Sequence, residues 1–340
     1  MKAFNRMTRW AALAAGSALQ VTVAQAQDFK LSSQWVENTV ISQTNRWWAE
    51  ELEKRSQGKV KVKIFYAGTL AKATENLQLI RSGGVELVNM SPSYFGADLP
   101  LFTAPNSIPM AMAEVPQTTV LIQRLLKELP ALDEEAKRNG VKALHFHHLN
   151  PYKLVCSKEV KSIDDIKGKK IRTWGSDMPK MVQAAGGVPV TLGLPELYEG
   201  LNRGTVDCIP FSVDLMVSYK IHEVAKHVHD ITLWLGPTSG LWMARPAWDK
   251  LSPDQQKLFE QVSGEAALRD RDLTIAAAKT ATETLKAAGV QFHSFPEADK
   301  KKWKAQNPDF FADFIVVQDK AGRGDAAKQM VKIWKEVVDQ

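Results

Sequence analysis

The sequence predicts two α/β lobes followed by long C-terminal helices. Three observations carry that expectation. Strand-like and helix-like runs alternate between residues 29 and 90, and alternation resumes after Asn150-Pro151. A helical pattern then runs from Ser252 to about Gly289. Alternating strands and helices produce parallel sheets with both faces covered. A chain of 340 residues has room for more than one hydrophobic centre.

Taken in order, the first 26 residues stand outside the fold. Lys2, Arg6 and Arg9 precede an apolar run that ends at Ala24-Gln25-Ala26, the layout of a secretory signal peptide. That run is shorter than the ~20 residues a membrane span needs. The first lobe is expected over 27–150. FKLSSQWV (29–36) reads as a strand, and a helix follows over about 43–57, with Trp47, Trp48 and Leu52 inward and Gly58 as its stop. KVKVKIF alternates strictly, with Val60, Val62 and Ile64 on one face and lysines on the other, as in a half-buried strand. A helix over about 74–82, ended by Gly83-Gly84, leads to the strand VELVNM (85–90). Residues 92–116 are punctuated by prolines and read as a connection with short helical pieces. A helix over about 117–138 and the strand VKALHFHH (141–148) complete the lobe.

The second lobe is expected over 151–240. LVCSKEV and KKIRTW read as strands, separated by Ser162-Ile163-Asp164-Asp165, a capping-box-like helix start. GGVPVTL is a further strand, LPELYEGLNRG a helix closed by Gly204, and VDCIPF the next strand. The remainder, 241–340, opens with SGLWMA returning through a hinge. Ser252-Pro253-Asp254-Gln255 then starts the long helix, with Gly264 a candidate bend.

Composition bounds the function. The hydrophobic fraction of 44% and charged fraction of 24% are those of a globular protein. Net charge is +6, of which Lys2, Arg6 and Arg9 supply half, so the processed chain is only mildly basic and carries no nucleic-acid signal. Cys156 and Cys208 are the only cysteines. An oxidising compartment permits a disulfide, but spacing does not report the separation of their Cα atoms, so two unpaired thiols remain the alternative.

The sequence carries few catalytic constellations. His145, His147 and His148 resemble a metal cluster, yet on a strand two of them face one way and the third the other. Zinc needs three or four ligands, so structural histidines are the expected reading. Ser56-Gln57-Gly58-Lys59 fits S-x-x-K, but it falls at a helix end rather than a helix start. No G-x-S-x-G, Walker loop, H-E-x-x-H or strand-following G-x-G-x-x-G occurs. No enzyme activity, metal or cofactor is therefore expected.

What remains is GKKIRTWGSD (168–177). Arg172 sits at the C-terminal end of a strand, where open α/β sheets bind ligands, and clefts between domains are favoured small-molecule sites. A planar guanidinium fork suits a carboxylate. An exposed ion pair is the alternative that spacing alone leaves open.

SIDDIKGKKIRTWG and AAGGVPVTLGLPELYEGLNRGTVD resemble the DctP-type extracytoplasmic solute receptors of TRAP transporters. So do SQGKVKVKIFYAGTL, VELVNMSPS and LSPDQQKLFEQV, which spreads the resemblance over nearly all of residues 27–340. It implies a two-lobed periplasmic binding protein with a ligand cleft between the lobes and C-terminal helices bracing both. It also implies capture of a small organic acid and peripheral contact with transporter subunits in the inner membrane. Arg172 matches the family's carboxylate-gripping arginine. Tyr152 stands where sialic-acid-type receptors have a second arginine, and Phe211 where they have a ligand asparagine. With Trp174, these aromatic replacements imply a cleft that takes one carboxylate and an apolar or flat remainder, such as an aromatic or branched hydroxy acid.

Topology adds further candidates. Ser91, Ser93 and Tyr94 follow a strand end, Trp35 follows the first strand, Trp242 lies in the returning strand, and Asp214 could accept from ligand hydroxyls. Loop hydrogen bonding, core packing and a helix N-terminus, respectively, are the plainer roles for these residues. An exported hydrolase or lyase on the same scaffold, or the receptor of an ABC importer, are the rival functions.

Overall fold

The computed structural model describes residues 27–237 and 239–339; the expected signal peptide lies outside them. The first lobe comprises β1 (Gln27–Ser33), α1 (Val40–Arg55), β2 (Val60–Phe65), α2 (Asn76–Arg81), β3 (Leu87–Met90), α3 (Pro100–Ser107), α4 (Val115–Glu128), α5 (Pro130–Arg138) and β4 (Val141–Phe146). The second comprises β5 (Tyr152–Cys156), β6 (Lys170–Thr173), α6 (Met178–Ala184), β7 (Val188–Thr191), α7 (Leu197–Asn202), β8 (Cys208–Phe211), α8 (Val213–Ser218) and β9 (His227–Trp234). The chain then returns through β10 (Gly240–Ala244), α9 (Arg245–Asp249) and α10 (Pro253–Ala287). It ends with β11 (Gln291–Ser294), α11 (Glu297–Gln306), α12 (Phe310–Lys320) and α13 (Gly324–Val338).

Two sheets organise these elements. The first has the order β2-β1-β3-β10-β4 and the second β11-β9-β5-β8-β6-β7. β1 pairs in parallel with β2 and β3, while β10 is inserted antiparallel between β3 and β4. The returning strand thus completes the first sheet, and β11 adds a parallel edge to β9 in the second. β2 shows how pattern becomes structure: Val60 is buried while Lys61 and Lys63 are exposed. A polar strand face turned to water lets the other face bury its apolar side chains.

Several boundaries differ from the sequence expectation for local reasons. The helix expected over 117–138 is two helices, because Pro130 occupies the first turn of α5 and has no N–H for a continuing α4. Ser162 starts only a 3₁₀ turn, Ile163–Ile166, which Gly168 at φ +72° soon follows. Gly264 does not end α10, which runs unbroken for 35 residues behind a Ser252–Gln255 capping box. Cys156 and Cys208 oppose one another on β5 and β8 and form a disulfide.

The C-terminal helices join the lobes. α10 packs on α1 and β4 of the first lobe and on α8 of the second. α11 is tied to the second lobe by the Trp303 indole, which donates to the Met181 carbonyl at 2.9 Å. α13 meets the first through Arg124 and Glu336 at 2.8 Å. Among the described residues no helix is long and apolar enough to cross a membrane.

Candidate functional site

A small cavity opens between the two sheets, at the C-terminal ends of β1, β3 and β6. From the first lobe come Gln34, Trp35, Ser91, Ser93, Tyr94 and Asn106; from the second come Tyr152, Arg172, Trp174, Leu194 and Trp234. Its volume is about 30 Å³, room for two or three water molecules at roughly 10–15 Å³ each. Among the described residues Arg172 is the only charged one that lines it.

Arg172 is held by the strand that carries it. β6 lies between β7 and β8, so its backbone is fixed on both sides. The guanidinium sits 4.2 Å from the Trp174 ring centroid, a cation–π contact that orients its plane. Its Nε donates to the Leu192 carbonyl at 3.2 Å. The side chain is 2% exposed, and the titratable groups that bear on it are the neutral phenols of Tyr94, a hydrogen-bond partner, and Tyr152 rather than a carboxylate. Burial lowers its pKa, yet a guanidinium stays protonated in proteins. The cavity therefore carries a buried cation that forms no ion pair among the described residues.

Aromatic rings surround this charge. Tyr152, Trp174 and Trp234 form a triangle with centroid separations of 5.1 to 5.7 Å and edge-on geometry. Burial pushes the Tyr152 phenol far above its ordinary pKa, so it stays neutral. Across the cavity the Ser91 and Ser93 hydroxyls lie 2.9 Å apart, and Ser91 reaches the Asn106 side-chain oxygen at 3.5 Å. This arrangement can accept one carboxylate and enclose a small body. Among the described residues no group of three or more His, Cys, Asp or Glu could hold a metal.

Seven of the residues singled out from sequence therefore meet at one place: Trp35, Ser91, Ser93, Tyr94, Tyr152, Arg172 and Trp174. Three do not. Phe211 is fully buried beneath Tyr152 and packs edge-on against Tyr219, so it supports the wall without forming it. Trp242 lies inside the first lobe against Phe102 and Phe146, because β10 is a central strand. Asp214 accepts from the Asn150 side chain at 2.9 Å in the first turn of α8, and burial raises its pKa.

Sequence reasoning missed Gln34, Asn106, Leu194 and Trp234. Trp234 ends β9, a strand whose mixed HVHDITLW pattern carries no clean alternation. Asn106 lies in α3, a helix that contains Pro105 inside the segment read as a connection.

The lobes meet in a closed arrangement. Trp174 Nε1 donates to the Asn106 carbonyl at 3.2 Å, and Met110 N to the Leu233 carbonyl at 3.0 Å. Gly236, on the return from β9 to β10, abuts the first lobe: a Cβ there would lie 2.2 Å from the Pro105 carbonyl oxygen. Gly236→Ala should oppose closure, and because the same Cβ would lie 2.9 Å from Cζ2 of Trp234, it should also press on one wall of the cavity. Overpacking of this kind costs about 1–3 kcal/mol, so ligand affinity should fall roughly 5- to 150-fold. Small-angle scattering should show a shift to a more open form. Unchanged affinity and shape would mean that this contact does not form on closure.

The comparisons with known proteins fit this architecture. A model of the bacterial extracellular solute-binding proteins of family 7, DctP, matches residues 31–315. A solute-binding protein of Albidiferax ferrireducens is 25% identical over 83% of this chain and 84% of its own length. A monocarboxylate 2-oxoacid-binding periplasmic protein of Nostoc is 24% identical over 84% of this chain and 77% of its own. Among solved structures, a Bordetella pertussis extracytoplasmic solute receptor binding pyroglutamic acid superposes with a TM-score of 0.82 at 20% identity. It covers 91% of this chain and 100% of its own. A Sulfitobacter TRAP periplasmic solute-binding protein with bound β-D-galacturonate gives 0.79 at 20% identity, with the same coverage. The chain belongs to the DctP family, family 7 of the bacterial extracellular solute-binding proteins, which are receptors rather than enzymes.

Proposed function

We propose that this chain captures a compact monocarboxylic acid in the periplasm, by its carboxylate at Arg172, and delivers it to TRAP membrane subunits. The supporting observation is the lone cation: among the described residues Arg172 is the only charge that lines the cavity, and it is buried without an ion-pair partner. One cation in a nearly dry site balances one carboxylate, whereas a dicarboxylate would leave a second charge uncompensated. This argues against the ligand class of the Rhodobacter capsulatus C4-dicarboxylate-binding relative, which is 27% identical over 75% of this chain.

Size points the same way. A cavity that closes to about 30 Å³ must widen for any of these acids, and a compact one asks for less widening than the uronates bound by several neighbours. Two structures with a TM-score of 0.82 carry pyroglutamate, a compact monocarboxylate. In the open form the carboxylate docks on Arg172, the lobes close, and expulsion of water strengthens the charge-assisted bonds. Export rests on the N-terminal 26 residues, and contact with the membrane is peripheral, through the transporter subunits.

The test is a thermal-shift screen of ligand-stripped protein against mono- and dicarboxylates, sugar acids, and aromatic and branched hydroxy acids. A ligand at 100 times its Kd adds about 2.7 kcal/mol, worth several degrees in a chain of this size. The expected hits are small monocarboxylates recovered unchanged. Silence from every acid would remove this reading, and recovery of a converted product would favour an exported hydrolase or lyase.

A further inference from the structure

Besides Arg172, the cavity is lined by residues whose buried polar atoms have no partner among the described residues. Trp35 and Trp234 line it from opposite lobes, are 1% and 2% exposed, and each has an indole N–H without a partner. Gln34, 5% exposed, adds an unpaired side-chain oxygen. Other buried polar atoms lack partners elsewhere, such as the Trp334 indole, but these three belong to residues that line one cavity. The fourth wall is already committed, since the Trp174 indole donates to Asn106.

An indole N–H only donates, and leaving it buried without an acceptor is unfavourable. In the closed arrangement two donors and one acceptor are left for a ligand to satisfy. A carboxylate on Arg172 answers the guanidinium; the indoles ask for another oxygen, and Gln34 for a hydrogen-bond donor. Resting on the reading that Arg172 grips a carboxylate, we infer that Trp35 and Trp234 are specificity residues that select monocarboxylates bearing a second oxygen, as a hydroxyl, ketone or lactam carbonyl. A hydroxyl or lactam also supplies the O–H or N–H that Gln34 accepts, which ranks hydroxy and lactam acids above oxo acids and plain alkanoates last.

The probes are butyrate, 2-hydroxybutyrate, 2-oxobutyrate and 2-pyrrolidone-5-carboxylate, titrated calorimetrically into the full processed chain. The wild type should bind the best oxygenated acid at least tenfold more tightly than butyrate, in line with one or two net hydrogen bonds. Trp35→Phe and Trp234→Phe should each reduce that preference roughly tenfold and leave butyrate within about twofold. Without any variant, ¹⁵N-labelled indole resonances of both residues should move with the oxygenated acids and stay in place with butyrate. Equal wild-type affinity for butyrate and the oxygenated acids would overturn the inference while sparing the Arg172 reading. So would variants that weaken every acid alike, because the indoles would then serve the carboxylate itself or the shape of the cavity. Binding of none of the four, with silence across the wider acid screen, would instead remove the Arg172 reading and this inference with it.

Discussion

Arg172→Gln is expected to lower affinity for the acid ligand by at least 100-fold and, at the same time, to raise the melting temperature of the ligand-free protein. The first effect follows from what the arginine lacks. Its guanidinium is buried, held by one backbone carbonyl and a tryptophan face, and has a fork free for two parallel bonds to a carboxylate. Truncating one partner of a buried charge pair costs about 2–5 kcal/mol. The second effect follows from the empty state, where an unpaired buried cation is unfavourable. Glutamine keeps much of the length and removes the charge. Arg172→Lys separates the causes, since it keeps the cation but loses the planar fork, and its affinity should fall between the two. Titration calorimetry and scanning calorimetry on the three proteins decide the matter. A Kd within threefold of wild type in Arg172→Gln, or a sharp fall in its melting temperature, would mean that the arginine serves the fold.

The residues that were legible in the sequence share a physical property: they stand where a pattern ends. Arg172 and Trp174 follow an alternating run, Ser91, Ser93 and Tyr94 follow a short apolar one, and Tyr152 follows Asn150-Pro151. Strand ends face the cleft in an open α/β sheet, so topology alone brought these side chains near one another. Trp234 was hidden because β9 is bulged where it pairs with β5, which breaks the period-2 signal on which strand reading depends. Trp242 misled for the opposite reason. Its segment was read correctly as a returning strand, but a strand inserted between two others buries its tryptophan in the lobe. The disulfide was open from spacing alone because 52 residues separate the cysteines, and only strand register places them opposite each other.

The His145–His147–His148 cluster was read as structural, and its partner was invisible because it lies more than 120 residues away. Asp270 of α10 is fully buried. Its carboxylate accepts from His147 Nδ1 at 2.8 Å, His148 N at 2.6 Å and His148 Nδ1 at 3.2 Å. One turn on, the Thr274 carbonyl accepts from Asn150 Nδ2 at 2.7 Å. The bracing helix thus grips the crossover from the first lobe to the second at two points. Burial pushes the Asp270 pKa upward, but its histidine donors outweigh burial and hold it below the ordinary aspartate value. A depressed folded pKa contributes stability that is present above the unfolded value near 3.9 and lost as pH falls through the folded one.

Asp270→Ala at pH 7 should therefore remove the acceptor for three buried donors. Breaking such a pair costs about 3–5 kcal/mol, on the order of 10 °C in melting temperature for a chain of this length. The pair that Glu265 of the same helix forms with Arg55 of α1 makes the contrast. Its atoms approach to 2.6 Å, yet both side chains are partly exposed, so Glu265→Ala should cost no more than about 1 kcal/mol. Scanning calorimetry of the two variants side by side tests whether burial, rather than distance, sets the energy. Equal losses would show that Asp270 does not anchor the crossover. A loss confined to Asp270→Ala, with Arg172 still gripping ligand in the surviving folded fraction, would separate the joint that carries the lobes from the site they enclose.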